Sequence, residues 1–368
     1  MQKINALQTI SIKSFQNDLI QWFEAEQRQL PWRENKDPYR VWVSEIMLQQ
    51  TRVDTVIPYF NRFMESFPTL HHLADAGEEE ILKAWEGLGY YSRVRNLQAA
   101  VREVQASYNG IVPDTPEDII SLKGVGPYTA GAILSIAYGV PEPAVDGNVM
   151  RVLSRILLIY DDIAKPKTRK VFEDAVRALI SHENPSSFNQ ALMELGALIC
   201  TPTNPSCMLC PVNEHCAAFA EGVQKELPVK IKVTKVKQVK LISAIIKNKK
   251  GEILVQKRPD QGLLAGLWEF PSISFEKTKK VTKDMYEDTF AITYNGRVQL
   301  QKERFAEITH VFSHLKWSID AYEAVIEEDV SDEMLEQNRL RWVTEKEMKQ
   351  LAFPVPYQKM FKEYIERS

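Results

Sequence analysis

Two carboxylates and one block of four cysteines are the residues of this 368-residue chain whose types and spacing could do chemistry. Glu45 lies in Trp42-Val-Ser-Glu-Ile-Met-Leu-Gln-Gln-Thr51, a helical stretch that is apolar on most sides. A carboxyl placed there is desolvated. Its pKa rises toward neutral, so it can hold a proton and donate it near pH 7. At the helix edge, with its head in water, it would be an ordinary surface glutamate. Asp146, in Val145-Asp-Gly-Asn-Val149, is placed to cap a helix N-terminus. The dipole and backbone N–H groups there lower a carboxyl pKa, so Asp146 is expected to stay ionised and able to stabilise a cation, unless it only caps. The cysteines follow as Cys200-x6-Cys207-x2-Cys210-x5-Cys216. A disulfide framework would spread its cysteines to staple distant segments, whereas this packing points to a metal or cluster. All-cysteine ligation in a compact loop fits a 4Fe-4S cluster. A structural zinc site normally uses two short pairs, and only Cys207/Cys210 is one.

Elements must bring these groups together. Between the carboxylates runs Leu122-Lys-Gly-Val-Gly-Pro-Tyr-Thr-Ala130, with short helical patterns on both sides. Gly124 and Gly126 allow close backbone approach and positive φ, and Pro127 suits the first position of a helix. The free N–H groups of that helix would bind a phosphate without sequence preference. An ordinary corner between helices is the other reading. Helices are expected at Val53–Phe67, Glu78–Glu86, Val94–Ser107, Pro116–Ser121, Tyr128–Tyr138, Asn148–Tyr160, Lys167–Ile180 and Phe188–Cys200. Asp37-Pro38 opens the helix that carries Glu45.

The texture changes after the cysteines. Residues 225–250 hold nine lysines and one glutamate, and Lys230–Lys237 alternates with period two, as an extended linker or edge strand would. Strands are expected at Lys240–Lys247, Ile253–Lys257 and Trp317–Val325, with a closing helix at Lys359–Glu366. Two domains are therefore expected, helical and then α+β. Net charge is −3, so any grip on nucleic acid must come from local patches. No run approaches a membrane span and the N-terminus lacks a signal-peptide core. An intracellular, soluble protein in the cytoplasm, associated with the nucleoid, is expected.

The glycine hairpin resembles the helix-hairpin-helix motif of base-excision DNA glycosylases of the endonuclease III superfamily. Lyase members carry a lysine where this chain has Tyr128. That lysine attacks the sugar as a Schiff-base nucleophile, which a tyrosine cannot do. The departure points to the adenine-specific, MutY-type branch and to base removal without strand cleavage. The resemblance implies that Glu45 protonates adenine at N7, that Asp146 faces or transiently bonds the oxocarbenium-like sugar, and that Asn148 orients Asp146. It places Trp32 and Arg33 of Leu30-Pro-Trp-Arg33, with Gln190 and Met193, around the flipped base. Gln50 and Thr51 match residues that enter the stack or touch the opposite base. Leu88 and Tyr90 of Leu88-Gly-Tyr-Tyr91 match a wedge beside 8-oxoguanine, and Arg93 and Arg95 after them are candidates for phosphate. The cysteine spacing matches the endonuclease III clusters.

Farther on, Gln256-Lys-Arg-Pro and Gly262–Pro271 resemble Nudix folds, but the Arg-Glu-x-x-Glu-Glu helix that holds Mg²⁺ is missing; Asp284, Glu287 and Asp288 do not match it. His310-Val-Phe-Ser-His314 would suit a metal only if helical, and its flanks read as strand. The resemblance makes Phe312-Ser313-His314 the loop that recognises 8-oxoguanine. The implied architecture is a mostly α helix-hairpin-helix domain over 1–225 (hairpin about 115–138, cluster loop 200–216), a lysine-rich linker over 226–239, and a Nudix-like lesion-recognition domain over 240–368. The first domain would be two-lobed with a cleft between its lobes, and the last would fold over the other side of the duplex. The implied partner is double-stranded DNA with adenine mispaired with 8-oxoguanine or guanine, bound by a monomer. A bifunctional glycosylase/lyase, a non-catalytic lesion-binding protein and a Nudix hydrolase are the alternatives.

Overall fold

The computed structural model describes residues 5–8, 10–231, 236–274, 281–312 and 314–367. The chain divides into two compact units, Met1–Ala76 with Arg93–Lys232, and Gly77–Ser92 with Val233–Ser368.

The first unit is helical. Its elements are α1 (Ile12–Glu26), a 3₁₀ turn (Pro31–Arg33), α2 (Pro38–Leu48), α3 (Val53–Ser66) and α4 (Leu70–Asp75). After α5 (Glu78–Ala84), which groups with the second unit, come α6 (Ser92–Ser107), α7 (Pro116–Ser121), α8 (Pro127–Ala137), α9 (Gly147–Ile156), α10 (Thr168–Leu179), α11 (Pro185–Leu198) and α12 (Ala217–Glu221). Local chemistry starts most of them. Asp37, Thr115, Asp146 and Asn184 each accept a backbone N–H at an N-cap, and Pro38, Pro116, Pro127 and Pro185 open helices. Helix α9 ends at Ile156, short of Tyr160, because Leu158 turns to positive φ. A core of α1, α9, α10 and α11 is built on Phe15, Leu19, Leu153, Phe172 and Phe188. Helix α8 is buried from Thr129 to Ile136 and packs on α2, α7 and α11.

The second unit is a mixed sheet with helices on both faces. Its strands are β1 (Lys237–Lys247), β2 (Ile253–Lys257), β3 (Trp268–Glu269), β4 (Ser272–Ser274), β5 (Arg297–Leu300), β6 (Ala306–Val311), β7 (Leu315–Glu328) and β8 (Leu340–Val343). The main order is β3-β2-β1-β7-β5, with β4 on β1, β6 on β7 and β8 on β2. Helices α13 (Lys283–Tyr294), α14 (Asp332–Gln337), α15 (Glu345–Met348) and α16 (Val355–Ile365) complete it. β1 runs parallel to β7 from Lys237↔Leu315 to Lys247↔Val325. Leu241 and Ile245 face a core shared with Tyr357 and Met360 of α16, while Ile242 and Ile246 face Tyr286 and Phe290 of α13. Burial on both faces explains why β1 reads as a continuous apolar run.

Several boundaries differ from the expected ones. β1 begins at Lys237, three residues before the expected Lys240, and it is an interior strand, because Val239 enters the core and β7 pairs along its whole length. Residues 232–235 of the expected linker lie outside the described residues. Helix α16 starts at Val355 rather than Lys359, with Pro356 in its first turn. Residues 77–92 join the second unit through contacts that include a hydrogen bond from Lys83 Nζ to the Leu351 carbonyl (3.0 Å), one from the Phe353 N–H to Glu86 Oε1 (2.7 Å), and the pairing of Lys257 with Glu79 (3.0 Å).

Gly131, at the middle of α8, lets that helix touch the chain before α9. A Cβ there would sit 1.8 Å from the Pro143 carbonyl oxygen. Gly131→Ala is therefore expected to destabilise the protein by about 3 kcal/mol through forced backbone movement, read as a lowered Tm.

Candidate active site

A cavity of about 600 Å³ opens within the helical unit and gathers most of the expected residues. Glu45 and the end of α2, with Gln50 and Thr51, form one wall. Gly124, Gly126 and Tyr128 come from the hairpin, Asp146 and Asn148 from the start of α9, Gln190 and Met193 from α11, and Trp32 and Arg33 from the 3₁₀ turn. Leu88 and Tyr90 belong to the segment grouped with the second unit and do not line this cavity.

The hairpin is built as its residues require. Gly124 has φ +77, and a Cβ there would meet Asn96 at 2.7 Å. Gly126 is the N-cap of α8, with open space where a side chain would be. The second residue of α8 is Tyr128, whose hydroxyl donates to Glu45 Oε2 and lies 3.5 Å from the Met193 sulfur.

Glu45 is 5 % exposed. Burial pushes its carboxyl up to about 7; the Asp146 charge adds to this, while the Tyr128 hydroxyl and the Arg33 charge oppose it. Burial, and then the charges of Glu45 and Asp146, hold the Tyr128 phenol well above its ordinary range, so it is a donor. Asp146 does cap α9, its Oδ1 accepting the Val149 N–H (2.7 Å), and Asn148 Nδ2 donates to its Oδ2 (2.9 Å). Its pKa nevertheless moves in the direction opposite to that expected. Burial raises it and outweighs the bonds from Val149 and Asn148 and the Arg151 charge. Arg151 in turn donates to Asn148 Oδ1 (2.8 Å) and to the carbonyls of Gly196 (2.7 Å) and Cys200 (2.9 Å), tying the start of α9 to the first cysteine.

Other expected residues have different surroundings. Trp32 is largely buried, its ring edge-on to Phe60. The Arg33 guanidinium is engaged by Gln190 Oε1 (3.1 Å) and Glu194 (3.0 Å). Arg93, a candidate for phosphate, is buried instead; its Nη1 donates to the carbonyls of Ile46, Met47 and Gln49 and so caps α2. Gln50 follows with φ +60, exposed at the cavity mouth. Arg28 and Glu194 also line the cavity and were not anticipated. The spacing of Gln190, Met193 and Glu194 on one helix face could have found Glu194.

In the second unit, Phe312 and His314 form the turn between β6 and β7, where Phe312 N–H donates to the Leu315 carbonyl (2.7 Å) and its ring packs on Trp317. Ser313 lies outside the described residues. On α13, Glu287 accepts the Leu300 N–H (2.7 Å).

The four cysteines surround a small cavity of about 20 Å³ together with Val152, Arg155 and Val212. Among the described residues no three Cys, His, Asp or Glu stand close enough to share one metal ion. Four cysteines lining one space are a donor set suited to an iron–sulfur cluster, which is held by cysteine thiolates. Buried Arg155 donates to Cys200 Sγ (3.2 Å), an acceptor role suited to a thiolate ligand. Burial pushes the Cys210 thiol up to about 12 and that of Cys216 to about 11, so in neutral water only bonding to a cation would deprotonate them.

Two outcomes follow. A Glu45 pKa near 7, against 4.5 when unfolded, means the folded state keeps a proton that the unfolded state releases. Stability should therefore fall by roughly 3 kcal/mol as pH rises from about 4.5 to about 7. Glu45→Gln removes this loss, so its Tm should gain on wild type from pH 5 to pH 8; parallel Tm profiles would contradict it. The purified protein should be brown and contain iron, and Cys210→Ser should lose both iron and thermal stability. A colourless protein carrying zinc would refute the cluster.

Comparison with known proteins identifies the families that the chain matches. Residues 43–178 match the HhH-GPD superfamily base excision DNA repair protein family, residues 200–216 the iron-sulfur binding domain of endonuclease III, and residues 242–363 the NUDIX domain. Adenine DNA glycosylases of Mus musculus and Homo sapiens are 34% and 33% identical, over 96% of this chain in both cases and 78% and 74% of theirs. That of Buchnera aphidicola is 31% identical over 95% of this chain and 97% of its own. The solved structure of a thermostable thymine-DNA glycosylase superimposes with a TM-score of 0.51 at 26% identity, covering 57% of this chain and 97% of that one. The chain is thus a DNA-binding base-excision repair enzyme that hydrolyses N-glycosidic bonds and holds an iron–sulfur cluster, and it belongs to the adenine DNA glycosylase family.

Proposed function

We propose that this enzyme flips adenine out of a mispair with 8-oxoguanine or guanine and hydrolyses its N-glycosidic bond without cutting the strand. The observation that carries the reading is the pairing, in one cavity, of a buried carboxyl near neutrality, Glu45, with the capping carboxyl of Asp146, and no lysine among the lining residues. A cavity of about 600 Å³ has ample room for one nucleobase. The hairpin N–H groups at the start of α8 grip a backbone phosphate, which sets the register but not the sequence.

Glu45 gives its proton to adenine N7 while the Tyr128 hydroxyl holds its other oxygen side. The bond between C1′ and N9 breaks and its electron pair leaves with the base. Asp146, oriented by Asn148, stabilises the cationic sugar. Water then adds to C1′ and returns a proton to Glu45. Trp32, Arg33, Gln190 and Met193 bound the base, Gln50 and Thr51 meet the opened stack, and Leu88 and Tyr90 wedge beside the lesion. The Nudix-like unit recognises 8-oxoguanine through Phe312, Ser313 and His314. Cys200, Cys207, Cys210 and Cys216 ligate the cluster, which orders the loop that meets DNA. Among the described residues no helix is long and apolar enough to cross a membrane.

A strand-cleavage assay on duplexes with adenine opposite each base tests this reading. Breaks should appear only opposite 8-oxoguanine and guanine and only after alkali. Breaks without alkali, or a borohydride-trapped covalent complex, would favour a lyase. Glu45→Gln should slow excision by at least about 100-fold and leave duplex binding intact; an unchanged rate would remove Glu45 as the general acid.

A further inference from the structure

Glu194 sits on α11, 2 % exposed, and its two oxygens accept five hydrogen bonds. Arg28 supplies three, from its backbone N–H (3.1 Å), Nε (2.8 Å) and Nη2 (2.8 Å). Arg33 supplies two, from Nη1 (3.3 Å) and Nη2 (3.0 Å). Arg33 Nη1 also donates to the Arg28 carbonyl, and its Nε to Gln190. All three charged groups line the cavity that holds Glu45. We propose that Glu194 is a positioning residue: its carboxylate clamps Arg28 and Arg33 side by side on the cavity wall and cancels one of their two charges.

The clamp has two consequences. A fork held by two N–H bonds on a fixed carboxylate has one orientation, so the guanidinium faces that meet the base are set before it arrives. The second is electrostatic. The charged and titratable groups around Glu45 are Tyr128 from α8, Asp146 at the start of α9, Arg169 from α10, Arg28 and Arg33 from the turn region, and Glu194 from α11. The Arg33 cation opposes protonation of Glu45. Glu194 itself is ionised. Burial works against its charge, but the bonds from Arg28 and Arg33 win and bring it down to about 2. It therefore offsets the cations at every pH where the enzyme works. Without it, two uncompensated guanidiniums would draw the proton off Glu45 at lower pH.

This inference rests on the general-acid role proposed for Glu45. The test is the pH profile of single-turnover adenine excision from a duplex with adenine opposite 8-oxoguanine, using the cluster-loaded full chain. Glu194→Gln should lower the midpoint of the alkaline limb by about one unit, seen as a roughly tenfold slower rate at pH 8. Arg33→Gln should raise the midpoint, the charge-neutral double variant R33Q/E194Q should return it toward wild type, and Glu194→Asp should keep it. An E194Q midpoint equal to wild type, whatever the rate, overturns the proposal. If E194Q does not fold, R33Q and R33Q/E194Q are compared, and equal midpoints overturn it. A wild type that excises no adenine defeats the function proposed above, and this inference with it; excision with unmoved midpoints defeats this inference alone.

Discussion

A buried carboxyl and a phenol share a hydrogen bond on the wall of the cavity, and much of the helical unit exists to keep them there. Glu45 destabilises the fold at neutral pH, because its charge is out of water. That is tolerated because α2 is buried along Tyr39–Met47 and packs against α8, which is itself buried along most of its length. Tyr128 is delivered by the same helix whose N-terminus opens at Gly126. One short element thus presents free N–H groups at its start and, at its second residue, the hydroxyl that holds the acid.

The second carboxylate is held differently. Asp146 is fixed by its own helix start and by Asn148, which is fixed by Arg151, which bridges to the carbonyls of Gly196 and Cys200. A Cβ at Gly196 would meet Asn148 at 2.7 Å, so only glycine lets α11 approach α9 this closely. The cysteine loop and the Asp146 carboxyl are therefore joined by one chain of hydrogen bonds.

In the second unit the same economy of burial gives a sheet covered by α13 on one face and α16 on the other. Its α13 carries Glu287, but that side chain is taken up by the backbone of β5 rather than left for a cation. Strands β3, β4, β5 and β8, each of four residues or fewer, were not anticipated, because so short a run carries too little periodicity to stand out. The strands read correctly, among them Ile253–Lys257 with the bounds expected, are those with longer apolar runs.

What the sequence determined by itself is local. Asp37, Thr115, Asp146 and Asn184 start helices because a side-chain oxygen reaches an N–H two or three residues on, and Gly124 turns because it lacks a Cβ. The cysteine spacing, the tyrosine at 128 and the apolar flanks of Glu45 are equally written in the chain. Tertiary structure decided whatever depends on distant partners. It raised the pKa of Asp146 where the cap alone would lower it, since burial is a property of the whole fold. It turned Arg93 onto the end of α2, attached residues 77–92 to the second unit, and set Glu194 between two arginines about 160 residues away. Hydrogen-bond geometry within one turn is legible from neighbours in sequence; dielectric, charge pairing and packing are set by neighbours in space.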